Sequence, residues 1–255
     1  MQDDDAEDWR AQRLFVAHDL GEGRLIPLAR EQANYALKVL RLRAGASLRV
    51  FNGRHGEWST SLALAGRRDA VLEVHRQLRE QAGGPDIDYL FAPLKRTRLD
   101  YLVQKATEMG VARLRPVITR HTIAERINLE RMRANVVEAA EQCGILRLPE
   151  VVAPVRLAPL LDTWDPRRRI VFCDEAAGQA DPIGALQAVP AGPLALLIGP
   201  EGGFASEERA RLLALPFTVR LALGPRVMRA DTAAVAALAL VNAVLGDWRP
   251  APAKA

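Results

Sequence analysis

Residues 194–206 read LALLIGPEGGFAS, and this stretch decides the fold of the chain. Five apolar residues with the length of a buried strand run into a glycine loop around Glu201, and a helical pattern begins at Ser206, which is placed to cap it. Continuous apolar strands are typical of parallel sheets, which bind ligands in the loops at the carboxyl ends of their strands. The stretch lacks the lysine and length of a phosphate loop and does not match GxGxxG, so nucleoside triphosphates and NAD are disfavoured. It predicts a ligand loop, with a plain structural turn as the alternative.

Residues 220–233 read RLALGPRVMRADTA and repeat this design on a further strand. The strand ends at Gly224, a loop with two arginines follows, and Asp231 or Thr232 is placed to cap the last helix. We expect the two loops to lie side by side, one presenting bare backbone and the other arginine and aspartate. Such a pair could hold a small ligand next to a polyanion. The alternative is that Asp231 only caps the helix and the arginines are only solvated.

Strands and helices alternate in the second part of the chain, which predicts an α/β domain with a parallel sheet. The first part reads as short strands joined by turns, with one helix, and predicts a small mixed β-barrel. The predicted strands span residues 14–16, 24–27, 47–51, 58–64, 70–75, 87–91, 114–118, 170–173, 194–198 and 218–221, and the predicted helices span 31–40, 98–109, 128–143, 206–214 and 232–245. The glycine-rich residues 83–86 break both patterns. The predicted division is an acidic extension (1–12), a barrel (13–82), a linker (83–86), an α/β domain (87–249) and a tail (250–255).

Composition narrows the possible partners and the cellular location. Lys and Arg number 35 against 31 Asp and Glu, and 31 of the basic residues are Arg, which binds phosphate in a forked geometry. This favours a nucleic-acid partner, although base composition of the genome could produce the same bias. The longest apolar run, residues 233–245, is too short to cross a bilayer, and the acidic start is unlike a targeting sequence, so we expect a cytoplasmic protein. Cys143 and Cys173 lack partners at metal-ligand spacing and are expected to be small core residues.

Four segments together resemble a known family. They are residues 104–110 (QKATEMG), 138–144 (EAAEQCG), 198–204 (IGPEGGF) and 223–233 (LGPRVMRADTA). They resemble the ribosomal RNA small subunit methyltransferase E family, bacterial enzymes that methylate N3 of a uridine in 16S rRNA. The resemblance runs from about residue 13 to residue 248. It implies a PUA-like β-barrel that binds RNA, followed by a SPOUT domain with a deep trefoil knot, working as a homodimer with S-adenosylmethionine and without a metal ion.

The resemblance also implies where the site lies. The residues expected to hold S-adenosylmethionine are Leu197, Ile198, Gly199, Glu201, Gly202, Gly203, Leu221, Leu223, Gly224, Val227 and Met228. A base must remove the proton from N3 of the uridine, and the candidates are the carboxylates of Glu201, Asp231 and Glu108. Arg229 could stabilise charge on the uracil carbonyls or bind phosphate. The expected RNA contacts are Arg13, Arg41, Lys95, Arg98 and Arg131, whereas the four histidines are expected to have ordinary surface or core roles.

The chain departs from the family pattern in three places. It has Ala230-Asp231 where the family usually reads Thr-Glu, Thr119-Arg120-His121 where it reads Ser-Glu-Arg, and Gly144-Ile145 where it reads Gly-Arg. These departures keep open a SPOUT methyltransferase that acts on a different nucleotide or on a ribose hydroxyl. A noncatalytic RNA-binding or ribosome-assembly factor is less favoured because both glycine loops are intact.

Overall fold

The computed structural model describes residues 11–66, 69–123, 126–178 and 181–249, which form two compact units. Of these residues, the first unit takes those up to Gly83 together with Ala140–Arg147, and the second unit takes the rest. The predicted extension over residues 1–12 and the predicted tail over 250–255 lie outside the described residues, apart from positions 11 and 12. No helix in the described ranges is long and apolar enough to cross a membrane.

The first unit is built on a mixed five-stranded sheet. Its strands are β1 (Gln12–Phe15), β2 (Leu25–Pro27), β3 (Ser47–Phe51), β4 (Glu57–Leu64) and β5 (Ala70–Arg79), in the order β1-β3-β4-β5-β2. β1 pairs with β3 in parallel, and the other three pairings are antiparallel. The predicted turn between β3 and β4 is present, with Gly53 and Gly56 at positive φ. The predicted helix over residues 31–40 is split into α1 (Arg30–Asn34) and a π-helical turn (Tyr35–Val39).

Arg13 lies inside the first unit and not on an RNA-binding surface, which corrects its predicted role. The residue is 5% exposed, and its Nε donates to the fully buried carboxylate of Glu57. Its other nitrogens donate to the backbone carbonyls of Ala140, Glu141 and Ile145. All nitrogens of the guanidinium thus donate to protein acceptors, and leaving these buried acceptors unpaired would cost free energy of folding. These bonds also explain why Ala140–Arg147 belongs to the first unit, although the predicted division assigns it to the second domain.

Replacing Arg13 with alanine is expected to lower the free energy of unfolding by about 3–5 kcal/mol, because three backbone carbonyls would lose their donor and the buried Glu57 would keep only the longer ion pairs with Arg79 and Arg49. Urea unfolding of the wild type and the variant measures the difference. Arg54→Ala is the matched control, because Arg54 pairs with Asp19 on the surface, where both side chains are about half exposed. The control is expected to cost less than about 1 kcal/mol. Equal losses in both variants would contradict the structural role of Arg13.

The second unit is built on a seven-stranded parallel sheet. Its strands are β6 (Ile87–Phe91), β7 (Arg113–Ile118), β8 (Glu150–Val151), β9 (Val155–Arg156), β10 (Arg169–Cys173), β11 (Leu194–Ile198) and β12 (Thr218–Leu221). The order is β12-β10-β11-β6-β7-β8, and β9 also pairs with β7. Every residue of β6 and β11 is buried, as the continuous apolar runs predict for the middle of a covered parallel sheet. The helices are α2 (Arg96–Glu108), α3 (Leu129–Gln142), α4 (Leu157–Asp162), α5 (Pro182–Gln187), α6 (Ser206–Ala214) and α7 (Ala230–Val244).

Both predicted helix caps beside the loops are wrong. Ala205 is the N-cap residue of α6, and the carboxylate of Glu208 accepts its backbone N–H at 3.1 Å, so Ser206 is already inside the helix. α7 begins at Ala230 after Arg229, two residues before the predicted start. Because Asp231 falls in the first turn of α7, its carboxylate is available for a partner outside the helix. The prediction of two core cysteines also needs correction, since Cys143 is exposed.

Candidate active site

A cavity of about 420 Å³ opens at the carboxyl ends of β10, β11 and β12. Its size is within the range of small-molecule sites, and its place is the usual ligand edge of a parallel sheet. The sequence predicts that the two glycine loops lie side by side, but the strand order shows that β10 lies between β11 and β12. The segment after β10, from Asp174 to Gly178, therefore contributes a third wall, which sequence reasoning missed.

Most of the predicted cofactor-binding residues line this cavity. Nine of the eleven do so: Ile198, Gly199, Glu201, Gly203, Leu221, Leu223, Gly224, Val227 and Met228. Leu197 and Gly202 are not among the lining residues. Leu197 is fully buried in the apolar cluster between sheet and helices, because alternate residues of a strand point to opposite faces. Gly202 instead lies beside His121, whose Cβ would be 3.5 Å from a Cβ built on the glycine.

Two glycines of the first loop leave no room for a side chain. A Cβ on Gly199 would overlap the ring of Phe204, whose Cδ2 atom would lie at 2.9 Å, and that ring packs edge-on against Phe172. Gly203 has a φ of +69°, and a Cβ there would lie 2.6 Å from Oε1 of Glu175. The loop therefore approaches the cavity as bare backbone, which allows the close ligand contact expected of glycine loops.

The third wall holds a buried carboxylate. Asp174 follows β10 directly and accepts hydrogen bonds from Arg209 at 2.9 Å and from Arg220 at 2.6 Å. Burial alone would raise the pKa of Asp174, but these hydrogen bonds outweigh it and hold the pKa below its ordinary value. The ionised carboxylate thereby fixes both arginines beside the cavity. An acidic pair directly after a predicted strand was the signal in the sequence that could have identified this wall.

Three predicted site residues meet in one ion-pair cluster: Arg98, Asp231 and Glu201. The guanidinium of Arg98 binds both oxygens of Asp231, at 3.0 and 2.9 Å, and also donates to Glu201. The hydrogen bonds from Arg98 hold the pKa of Asp231 below its ordinary value. Glu201 lines the cavity and is 46% exposed, whereas Asp231 is 18% exposed. Arg98 was predicted to contact RNA, but its guanidinium is occupied by these two carboxylates.

The remaining predicted residues lie in varied environments. Arg229 is exposed and lines the cavity, whereas Glu108 does not line it and pairs with Lys105 at 2.8 Å. The guanidinium of Arg131 is held by both oxygens of Asp100, at 2.8 and 2.6 Å. The other two predicted RNA contacts, Lys95 and Arg41, are exposed. Lys95 precedes the first turn of α2, where the helix dipole disfavours a cation and favours an anion.

Comparisons with known proteins agree with this geometry. Residues 82–242 match the model of an RNA methyltransferase domain, and residues 28–74 match that of an RNA methyltransferase PUA domain. The chain is 30% identical over 241 residues to the ribosomal RNA small subunit methyltransferase E of Synechocystis, covering 92% of this chain and 78% of that protein. It is 27% identical over 232 residues to the protein of the same name from Rickettsia conorii, covering 90% and 94%. A methyltransferase from Legionella pneumophila, solved with bound SAM, shares 29% identity and a TM-score of 0.82, covering 93% and 99%.

A parallel sheet with a glycine-lined cavity at its carboxyl edge, together with the matches to an RNA methyltransferase domain and a PUA domain, defines an RNA methyltransferase. Within that class, the chain belongs to the ribosomal RNA small subunit methyltransferase E family.

Proposed function

We propose that the protein transfers a methyl group from S-adenosylmethionine to N3 of one uridine in the 16S rRNA of the small ribosomal subunit. The observation that carries this proposal is the bare-backbone cavity with the Arg98–Asp231–Glu201 cluster at its side. The names of its relatives support ribosomal RNA as the substrate, and the Legionella pneumophila structure supports the cofactor.

The residues of the cavity fit S-adenosylmethionine. Apolar side chains such as Ile198, Leu223 and Met228 suit the adenine ring, and the bare backbone at Gly199 and Gly203 permits the close approach that a Cβ would prevent. The carboxylates of Glu175 and Glu201 complement the cationic groups of the cofactor. When bound, the cofactor supplies an electrophilic methyl group on a sulfonium. Among the described residues, no cluster of His, Cys, Asp or Glu side chains is arranged to hold a metal ion.

Transfer to N3 requires removal of the proton that N3 carries near neutral pH. We assign this role to Glu201, because it is the one candidate carboxylate that lines the cavity among the three considered. Asp231 does not line the cavity, and it serves to orient Arg98 against Glu201. Arg229 then stabilises the negative charge that develops on the uracil carbonyls once the proton leaves. The enzyme otherwise acts by holding the methyl donor and N3 close and in line.

For RNA binding, the proposal retains Lys95 and Arg41, both exposed. Replacing Arg41 with alanine is expected to weaken RNA binding and to reduce the slope of log K against log salt by about 0.7–0.9, the share of one phosphate contact. Arg41 has a φ of +55°, a conformation that arginine and alanine tolerate equally poorly, so the change removes a charge without relieving strain. Filter binding at several salt concentrations measures the slope. Arg41→Lys keeps the positive charge and is the control, for which we expect the wild-type slope. An unchanged slope in Arg41→Ala would show that Arg41 does not contact RNA.

The proposal extends to architecture and assembly. Residues 13–82 form a PUA-like β-barrel that binds RNA, and residues 87–249 form a SPOUT domain with a trefoil knot, which the matches to both family models support. The protein works as a homodimer in the cytoplasm, and the homodimer is supported by Val227, which is 87% exposed at the cavity, and by half-buried apolar residues along α7. Those residues are Val235, Ala236, Ala239 and Leu240. A second copy would cover this apolar surface.

The deciding experiment incubates the protein and labelled S-adenosylmethionine with small ribosomal subunits from a strain that lacks the endogenous enzyme. Nucleoside mass spectrometry then identifies the product, and label in N3-methyluridine is the expected result. Label in another base or in a ribose would support the alternative of a related methyltransferase with a different target. Cofactor binding without any label on subunits or naked 16S rRNA would contradict the proposed reaction and favour a noncatalytic RNA-binding factor.

A further inference from the structure

The turn after β7 is closed by its own hydrogen bonds. The backbone N–H of Thr122 donates to the carbonyl of Thr119 at 3.2 Å, and the N–H of Thr119 donates to Oγ1 of Thr122 at 2.8 Å. The two hydroxyl oxygens lie 3.0 Å apart, within hydrogen-bond distance. Residues 119–122 therefore form a compact turn with a defined shape. The two residues between the threonines, Arg120 and His121, are where the chain departs from the family pattern.

His121 binds the outer side of the first glycine loop. Its Nδ1 atom lies 3.2 Å from the carbonyl oxygen of Gly202 and 3.1 Å from that of Gly203. Carbonyl oxygens only accept hydrogen bonds, so Nδ1 must carry the proton and donate to them. The imidazole therefore holds both carbonyl oxygens through one N–H.

A second bond from the same turn reaches the helix that follows the loop. The backbone N–H of Arg120 donates to Oε1 of Glu208 at 2.9 Å, while Oε2 of Glu208 accepts the N–H of Ala205 at 3.1 Å. One carboxylate therefore joins the turn to the start of α6. The glycine loop is thus held at Gly202 and Gly203 by the imidazole and, just after the loop, by Glu208.

These contacts matter because of what the loop would do without them. A loop with several glycines has many accessible conformations, and ordering it on ligand binding costs conformational entropy. Within the loop, the N–H of Gly203 donates to the carbonyl of Pro200 at 2.9 Å, which closes a turn, and Gly203 and Glu201 both line the cavity. Holding the carbonyl oxygens from outside preserves the shape of the inner side and reduces the entropy lost on binding.

We propose that His121 is a positioning residue that fixes the glycine loop in its ligand-binding shape. This inference rests on the proposed function, because the ligand that the loop binds is taken to be S-adenosylmethionine. His121 does not line the cavity, so it acts through the loop backbone and not by touching the cofactor. Gly202, a predicted cofactor contact outside the lining, lies beside this imidazole, where a Cβ would be in ordinary contact 3.5 Å from the Cβ of His121.

The test compares three replacements in the full-length protein. His121→Ala removes the donor, and we expect the Kd for S-adenosylmethionine, measured by calorimetry, to rise about tenfold. His121→Asn places an amide N–H near the position of Nδ1 and is expected to restore most of the affinity. His121→Gln places its amide nearer the position of Nε2 and is expected to resemble alanine.

A second readout needs no cofactor. Amide hydrogen exchange across residues 200–205 is expected to be about threefold to tenfold faster in His121→Ala than in the wild type, and to return towards the wild-type rate in His121→Asn. Wild-type affinity in His121→Ala, or no rescue by asparagine, would overturn the proposal. A loss of RNA affinity without a change in loop exchange would assign His121 to RNA contact instead. If the wild type failed to bind S-adenosylmethionine, the proposed function would be wrong, while the exchange rates would still decide whether His121 holds the loop.

Discussion

Gly199→Ala is expected to weaken binding of S-adenosylmethionine by about 10- to 100-fold while leaving the affinity for RNA within about twofold. The added methyl group would overlap the ring of Phe204, which packs edge-on against Phe172 and would have to move together with the loop. Overpacking of this kind forces backbone shifts that cost about 1–3 kcal/mol, and the segment that must shift is the one that forms the cavity wall. Equilibrium binding of labelled cofactor and of 16S rRNA fragments measures the two affinities.

Gly202→Ala is the matched control for Gly199→Ala. It adds the same methyl group three residues further along the loop, where the nearest atom would lie 3.5 Å away in ordinary van der Waals contact. We expect cofactor affinity within about threefold of the wild type. Equal losses in both variants would show that the loop tolerates no side chain at all. The separate steric role of Gly199 would then be wrong.

Arg98→Met is expected to lower kcat by about 10²–10³ while changing the Kd for the cofactor by less than about threefold. Methionine keeps much of the length of the side chain but removes the guanidinium that binds Asp231 and Glu201 together. Two carboxylates would then face each other without a cation, and Glu201 would lose the partner that orients it towards N3. The expected loss is that of one positioned charged group in an active site. Single-turnover methylation of small ribosomal subunits separates this step from substrate binding.

The pH dependence provides the check on Arg98→Met. In the wild type, Arg98 depresses the pKa of Asp231. The ionised carboxylate therefore contributes its full stabilisation above its unfolded pKa, and this stabilisation is lost only as the pH falls through the lower folded pKa. Without Arg98 the pKa of Asp231 rises, and the loss of activity on acidification should begin at a higher pH. Arg98→Lys keeps one positive charge but not the two-point contact, and an intermediate rate is expected. Wild-type kcat in the methionine variant would contradict the assigned role.

The sequence predicts the parallel sheet well because burial dominates there. Strands at residues 87–91, 194–198 and 218–221 have the predicted bounds, and the continuously apolar strand at 194–198 is buried at every position, as expected in the middle of a covered sheet. Short elements such as β8 and α5 are missed, because a few residues carry no recognisable period. The cap residues are wrong for a different reason. The side chain of Asp231 is drawn to Arg98, which is distant in sequence, and local spacing cannot reveal that partner.

The site is only partly predictable from sequence. The two glycine loops are visible because their composition departs from that of strands and helices. The third wall of the cavity cannot be predicted from the sequence, because it depends on the position of β10 between β11 and β12, which is a property of the topology. His121 is dismissed as an ordinary residue because its role depends on two carbonyl oxygens about 80 positions away. Arg13 is misassigned because a charged residue in a strand looks the same in sequence whether it faces solvent or a buried glutamate.

The strand order also constrains when the protein can become active during its synthesis. The cavity uses the ends of β10, β11 and β12, and β12 is the last strand to emerge from the ribosome. A nascent chain that stops before Thr218 has two walls of the cavity and lacks the loop that bears Met228 and Arg229. Ligand capture therefore cannot help the earlier strands to assemble on the ribosome, and a chain truncated before Thr218 has no complete site, however well the rest of its sheet folds.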